Sequence, residues 1–289
     1  MRRIVVKLGT NVIMRSDGKV ALGLLCGLVE QIAALRSRGI DVLVVSSGAV
    51  GLGVERLGLS ARPTALEQVQ ACAAIGQSRL MALYDDAFDR LGCRIAQVLL
   101  TEDDFLDPVR HGNLRATLHA LLELGVIPIV NENDTVSTME LDRPLAPPVR
   151  VNDEQGEHIG ASLTNRTQSR LFGDNDKLSA LLLTHIDADL LVLLSDVDGL
   201  YDRNPSEPGA RVIPSVPSID GRVLELAHGG NGRGRGGMLS KLESARIALD
   251  AGKEVVIANG RTPAVLERIV AGESVGTRFI ARATTEVGR

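Results

Sequence analysis

Six short aliphatic and β-branched runs, 4–8, 41–46, 94–100, 126–130, 190–194 and 254–258, recur along the chain, each separated from the next by a helical pattern. Runs without polar alternation are strands covered on both faces, and strand–helix–strand alternation returns each strand parallel to the last. The expected fold class is therefore α/β, a mainly parallel sheet sandwiched between helices. Thr64 and Glu67 have capping-box spacing before a long apolar-periodic stretch, and Gly39, Gly92, Gly125 and Gly252 stand where helices should stop. The alternation runs from end to end of 289 residues, and 44% hydrophobic content provides a substantial core, so one domain over 1–289 is expected. The exception is a Pro-rich, polar insertion at about 142–170, with short alternating stretches near Val149 and His158 that could pair as a hairpin.

Open α/β sheets bind ligands beyond the carboxyl ends of their strands. Lys7 ends the first run. Five of the 32 basic residues are lysine and 27 arginine, so lysine is the rarer cation. An ammonium group delivers a compact charge to a phosphoryl oxygen where arginine offers a planar fork. A second lysine, Lys241, closes the glycine-rich stretch 232–241, which is expected as a loop before an amphipathic helix and so as a phosphate cradle. That stretch has neither Walker A spacing nor a strand running into it. Small polar or acidic clusters stand at four further strand or helix junctions: Ser46-Ser47-Gly48-Ala49, Asn131-Glu132-Asn133-Asp134, Gly173-Asp174-Asn175-Asp176 and Ser195-Asp196. Each alone reads as an ordinary turn or cap. Together at one sheet edge with Lys7 they read as a site.

Other function classes find little support. Cys26, Cys72 and Cys93 form no Cys-x-x-Cys pair, and five scattered histidines lack ligand spacing, so no protein metal site is expected. A net charge of −4 with 2% aromatic residues leaves little for a nucleic-acid surface. No apolar stretch reaches the roughly 20 residues that span a bilayer, and the first residues lack the apolar core of a signal peptide, so a cytoplasmic protein without membrane contact is expected.

The motifs Val6-Lys7-Leu8-Gly9-Thr10, Ser46-Ser47-Gly48-Ala49, Ala74-Ile75-Gly76-Gln77-Ser78-Arg79-Leu80, Gln97-Val98-Leu99-Leu100-Thr101, Asn131-Glu132-Asn133-Asp134, Gly173-Asp174-Asn175-Asp176 and Gly236-Gly237-Met238 with Lys241 resemble the amino-acid kinases over nearly the whole chain. Among them, the branch that phosphorylates the γ-carboxylate of L-glutamate, the first step of proline synthesis, is most similar. The resemblance implies the αβα sandwich of that family, with Lys7 and Lys241 neutralising the transferred phosphoryl group and Asp176 holding the two lysines. It implies a glutamate site of Ser47, Gly48, Ala49, Asn131, Asp134, Asp174 and Asn175. Nucleotide-binding segments would comprise Lys7, Gly9, Ser195, Asp196, Arg235, Gly236, Gly237, Met238, Leu239, Ser240 and Lys241. ATP is the implied donor, with Mg²⁺ carried on its phosphates, and a homo-oligomer is expected.

Two departures from the common pattern stand out. Many members carry a C-terminal domain resembling RNA-binding modules, and none is expected after the 275–279 region. The insertion at 142–170 separates two glutamate-binding clusters, which leaves feedback by proline open. A kinase of a related carboxylate such as acetylglutamate, or a non-catalytic amino-acid sensor, are the competing readings. The acidic clusters suit a free α-amino group, and retention of both lysines with Asp176 speaks against a sensor.

Overall fold

The computed structural model describes residues 1–136, 175–228 and 235–281, with only the backbone considered at His228, Arg235 and Gly236. The insertion at 142–170, Asp174 and Gly232 to Gly234 lie outside the described residues. Eight strands form one sheet: β1 Arg3–Leu8, β2 Asp41–Ser46, β3 Ile95–Leu100, β4 Ile127–Glu132, β5 Leu190–Ser195, β6 Ser215–Val216, β7 Glu254–Asn259 and β8 Thr277–Phe279, in the order β3-β4-β2-β1-β5-β7-β8-β6. Six are the apolar runs of the sequence, and all six lie parallel. The other two were not expected. β8 pairs antiparallel with β7, and β6 pairs parallel with β8, so one edge of the sheet is reversed.

The helices are α1 Thr10–Ile13, α2 Leu22–Ser37, α3 Ala49–Arg56, α4 Leu66–Asp89, α5 Asp103–Leu106, α6 Pro108–Glu123, α7 Asn175–His185, α8 Gly221–His228, α9 Arg235–Asp250 and α10 Val265–Val270. Because alternate strand residues point to opposite faces, β1 divides its apolar side chains between two cores. Ile4, Val6 and Leu8 pack with Leu28 and Ile32 of α2, Leu80, Tyr84 and Phe88 of α4 and Leu266 of α10. Val5 packs on the other face with Leu118 of α6, Leu178 and Leu182 of α7 and Leu242 and Ala245 of α9. Lys7 has the parity of Val5, so the strand directs it toward α7 and α9. This is the α/β sandwich expected from the alternation.

Local signals held unevenly. Gly39, Gly92, Gly125 and Gly252 all follow helices with positive φ. The capping box did not form: α4 starts at Leu66 with Ala65 at its N-cap and no side-chain cap bond, so Thr64 stands one residue too early for its hydroxyl to reach the first-turn amides. Instead Asp107 caps α6, its Oδ1 accepting from the Val109 and Arg110 amides at 2.9 Å, with Pro108 at the first helical position. The stretch expected as a loop through Lys241 is also corrected, since α9 begins at Arg235 and Lys241 lies in its second turn. Among the described residues no helix is long and apolar enough to cross a membrane.

Candidate active site

The parallel strands bring their carboxyl ends to one edge, and backbone bonds fasten the turns that leave it. The Ser47 amide donates to Leu8 O at 3.0 Å and the Gly9 amide to Leu194 O at 3.1 Å, which ties the exits of β2, β1 and β5 together. Gly48 caps α3 at φ +104°, in the left-handed region where a side chain is strained. Ala49, Val50 and Gly51, the first turn of α3 after it, line the cavity at the sheet edge. α4 then packs on α3 by direct backbone approach: a Cβ at Gly76 would lie 1.7 Å from Ala49 O, and one at Gly53 would lie 1.9 Å from Cys72 O.

Three charged side chains meet where β1, α7 and α9 converge. Lys7 Nζ lies 2.6 Å from Asp176 Oδ1, and Lys241 Nζ lies 3.1 Å from Asp176 Oδ2. Lys241 also donates to Gly237 O at 3.1 Å, one turn back on α9. The exposures of Lys7, Asp176 and Lys241 are 5%, 1% and 8%, so the cluster is held largely out of water. Burial pushes the Asp176 carboxyl up, but the two ammonium groups outweigh it and hold the carboxyl below the usual range. Asp176 stands in the first turn of α7, where the helix dipole also favours a negative charge. Two ammonium groups thus share one carboxylate. A buried cluster with a surplus positive charge is expensive unless an anion completes it.

Beside this cluster opens a cavity of about 600 Å³ lined by Ser47, Gly48, Ala49, Asn131, Asp134 and Asn175, with Thr10, Lys19, Glu132 and Arg62 also on its wall. Asn175 joins the two regions, being adjacent to Asp176 in the chain. Its Nδ2 donates to Asn131 Oδ1 at 2.8 Å, to Ser47 Oγ at 3.0 Å and to Ser46 O at 3.3 Å. Asn131 Oδ1 also accepts from the Glu132 amide at 2.9 Å. Ser46 Oγ is held at 2.8 Å by Tyr84 Oη, whose phenol is raised well above its usual value by burial. The polar wall is therefore bonded to itself and to α4 beneath it.

Of the residues expected at a glutamate site, Ser47, Gly48, Ala49, Asn131, Asp134 and Asn175 line this one cavity. Asp174 lies outside the described residues. Of the nucleotide set, Lys7, Lys241 and Gly237 meet through the contacts above. Gly9 bonds to β5, where Ser195 is the last residue and bonds to Asp196 at 3.1 Å. Met238, Leu239 and Ser240 continue α9, while Arg235 and Gly236 are placed only by backbone, as its first two residues. Sequence reasoning assigned no role to Asn11, whose Nδ2 donates to Asp196 Oδ2 at 2.8 Å, nor to Tyr84 or Gln77. Gln77 lay inside a quoted motif, yet nothing in a sequence marks which helix residue reaches a neighbouring strand end. No three His, Cys, Asp or Glu side chains among the described residues converge as a metal-holding group.

Comparison with known proteins gives the family and the fold. The sequence model of the amino acid kinase family matches residues 2–259. Glutamate 5-kinase of Gloeobacter violaceus is 46% identical over 281 residues, covering 96% of this chain and 68% of the relative. Glutamate 5-kinase of Lactiplantibacillus plantarum is 41% identical over 280 residues, covering 96% of each chain. Among solved structures, an isopentenyl phosphate kinase superposes with a TM-score of 0.60 at 18% identity, covering 96% of this chain and 100% of that one. The UMP kinase of Bacillus anthracis does so with 0.59 at 15%, covering 98% and 97%, and at such identities the likeness concerns the fold alone. With the family matched over most of its length and two glutamate 5-kinases aligned along nearly all of it, the chain belongs to the amino acid kinase family and, within it, to the glutamate 5-kinases.

Proposed function

We propose that the protein transfers the γ-phosphoryl group of ATP to the γ-carboxylate of L-glutamate, forming γ-glutamyl phosphate and ADP, the first step of proline synthesis. The observation that carries the reading is the buried lysine pair on a single carboxylate, set beside a cavity large enough for an amino acid, with Ser47, Asn131, Asp134 and Asn175 on its wall. A glutamate side chain, with an ordinary pKa near 4.3, is already an ionised nucleophile at neutral pH, so no general base is needed. The work left to the protein is to bring two anions together and stabilise charge on the moving phosphoryl group.

In this reading a γ-carboxylate oxygen bonds to the γ-phosphorus as the bond to the β,γ-bridging oxygen breaks, and the electron pair leaves with ADP. Lys7 and Lys241 receive the charge spread over the phosphoryl oxygens, and Asp176 keeps both ammonium groups pointed at one place. Asp134 and the carbonyl of Asn175 take the substrate ammonium, while Ser47 and the α3 amides after Gly48 take carboxylate oxygens. Ser195, Asp196 and the start of α9 hold the nucleotide. Mg²⁺ carried on the ATP phosphates would draw charge from the same oxygens. Homo-oligomeric assembly, a cytoplasmic location and sensitivity to proline belong to the proposal through family membership alone. The test is an assay with ATP, Mg²⁺ and hydroxylamine across L-glutamate, acetylglutamate and aspartate. γ-Glutamyl hydroxamate should accumulate; ADP release with acetylglutamate and none with glutamate would overturn the substrate.

A further inference from the structure

We infer that Gln77, which lies behind the cavity wall and outside its lining, is a positioning residue that holds the amides of the cavity-lining residues Asn131 and Asn175 in one orientation. The inference rests on the glutamate reading of that cavity. Amide nitrogen and oxygen are told apart by their partners, and here the partners leave one assignment. The Glu132 backbone N–H can only donate, so the Asn131 atom 2.9 Å from it is Oδ1. Asn131 Nδ2 therefore faces α4, where an acceptor is required, and Gln77 Oε1 stands at 2.8 Å. The remaining lone pair of Asn131 Oδ1 takes Asn175 Nδ2 at 2.8 Å. Asn175 Oδ1 is the end left over, a buried acceptor with no hydrogen-bond partner among the described residues, on a side chain that lines the cavity.

Packing alone does not account for a glutamine at this position. Gln77 is 9% exposed, and its Nε2 is a buried donor without a partner among the described residues, a cost that an apolar side chain of the same length would avoid. Its value lies in Oε1. Without that acceptor the Asn131 amide, itself 2% exposed, would have to turn toward another partner, taking Oδ1 away from Asn175 and with it the orientation of the Asn175 carbonyl. Gln77 touches no substrate, and its effect passes through two side chains.

The experiment compares Gln77→Met, which keeps length and removes the acceptor, with Gln77→Glu, which keeps an acceptor oxygen and removes the unpartnered donor. Side-chain amide exchange of ¹⁵N-asparagine-labelled protein and steady-state kinetics are measured on both. In Gln77→Met the Asn131 side-chain amide should lose protection by about tenfold or more, the scale of one unpaired buried amide, and the KM for glutamate should rise by about as much. The KM for ATP should stay within about twofold. Gln77→Glu should restore both quantities. Unchanged amide exchange in Gln77→Met, an equal rise in both KM values, or loss of protection in a folded Gln77→Glu protein would each overturn the inference. Should the wild type fail to turn over glutamate, the substrate reading falls, while amide exchange still decides the role of Gln77.

Discussion

At the scale of single residues, the triad makes stability and catalysis separable. Lys241→Met removes one of two cations from one carboxylate, leaving Lys7 and Asp176 as a balanced buried pair. The fold should therefore tolerate the change, with a melting temperature close to wild type. Turnover should not: a cation acting on developing charge stabilises the transition state more than the ground state, so kcat should fall by about 10²-fold or more. A normal kcat with only a raised KM for ATP would assign Lys241 to binding. Asp176→Asn inverts the balance, leaving two buried ammonium groups without their counter-ion at a cost of about 3–5 kcal/mol. A chemical-denaturation midpoint no lower than that of Lys241→Met would contradict this account. Lys7 and Lys241 were legible from residue type and position, and Asp176 between them from the resemblance to the family. The surplus charge was not, because it depends on three side chains brought together from positions 7, 176 and 241.

At the scale of elements, the contact between α3 and α4 governs where Ala49 and the cavity wall stand. Gly76→Ala would place a methyl group inside van der Waals contact of Ala49 O, and neither backbone can yield without moving α3. Such overpacking costs about 1–3 kcal/mol. Glutamate KM should rise with it while ATP KM holds, since Ala49 lines the cavity proposed for glutamate. Gly112→Ala, in the interior of α6 with nothing within 4 Å of the added carbon, should instead stabilise by about 0.5–1 kcal/mol through helix propensity. Equal melting temperatures for the two variants would remove the packing explanation. Both glycines look alike in the sequence, where each is a helix residue of poor propensity. The six parallel strands were readable because each is a six-residue, mainly aliphatic run, buried in five of them and only half-buried in the edge strand β3, whereas β6 and β8, of two and three residues, are too short to carry a periodicity. The Thr64 capping box had the right spacing and failed by one residue of register.

For the whole molecule, the sheet edge places the cavity proposed for glutamate, lined from α3, β4 and the turn after β2, next to a cationic cluster from β1, α7 and α9. Two anionic ligands set side by side repel unless cations lie between them, so the lysines should determine how each ligand affects the other's affinity. Calorimetry of glutamate binding, with and without a saturating non-hydrolysable ATP analogue, should show neutral or favourable coupling in the wild type. In Lys241→Met the analogue should weaken glutamate binding, and unchanged coupling would place charge compensation elsewhere. What the chain determined by itself were local and periodic properties. Aliphatic runs specify strands, alternation specifies parallel pairing, and the parity of Lys7 with Val5 directs a cation to one layer of helices. The rare lysines and the Asn-Asp clusters marked the chemistry. Tertiary structure alone decided the reversed edge of the sheet, the glycine-to-backbone contact of α3 and α4, the burial of the lysine–carboxylate cluster and the reach of Gln77 to Asn131. Each of these depends on a distance between residues far apart in the chain, and such distances are set only when the two cores close on opposite faces of the sheet.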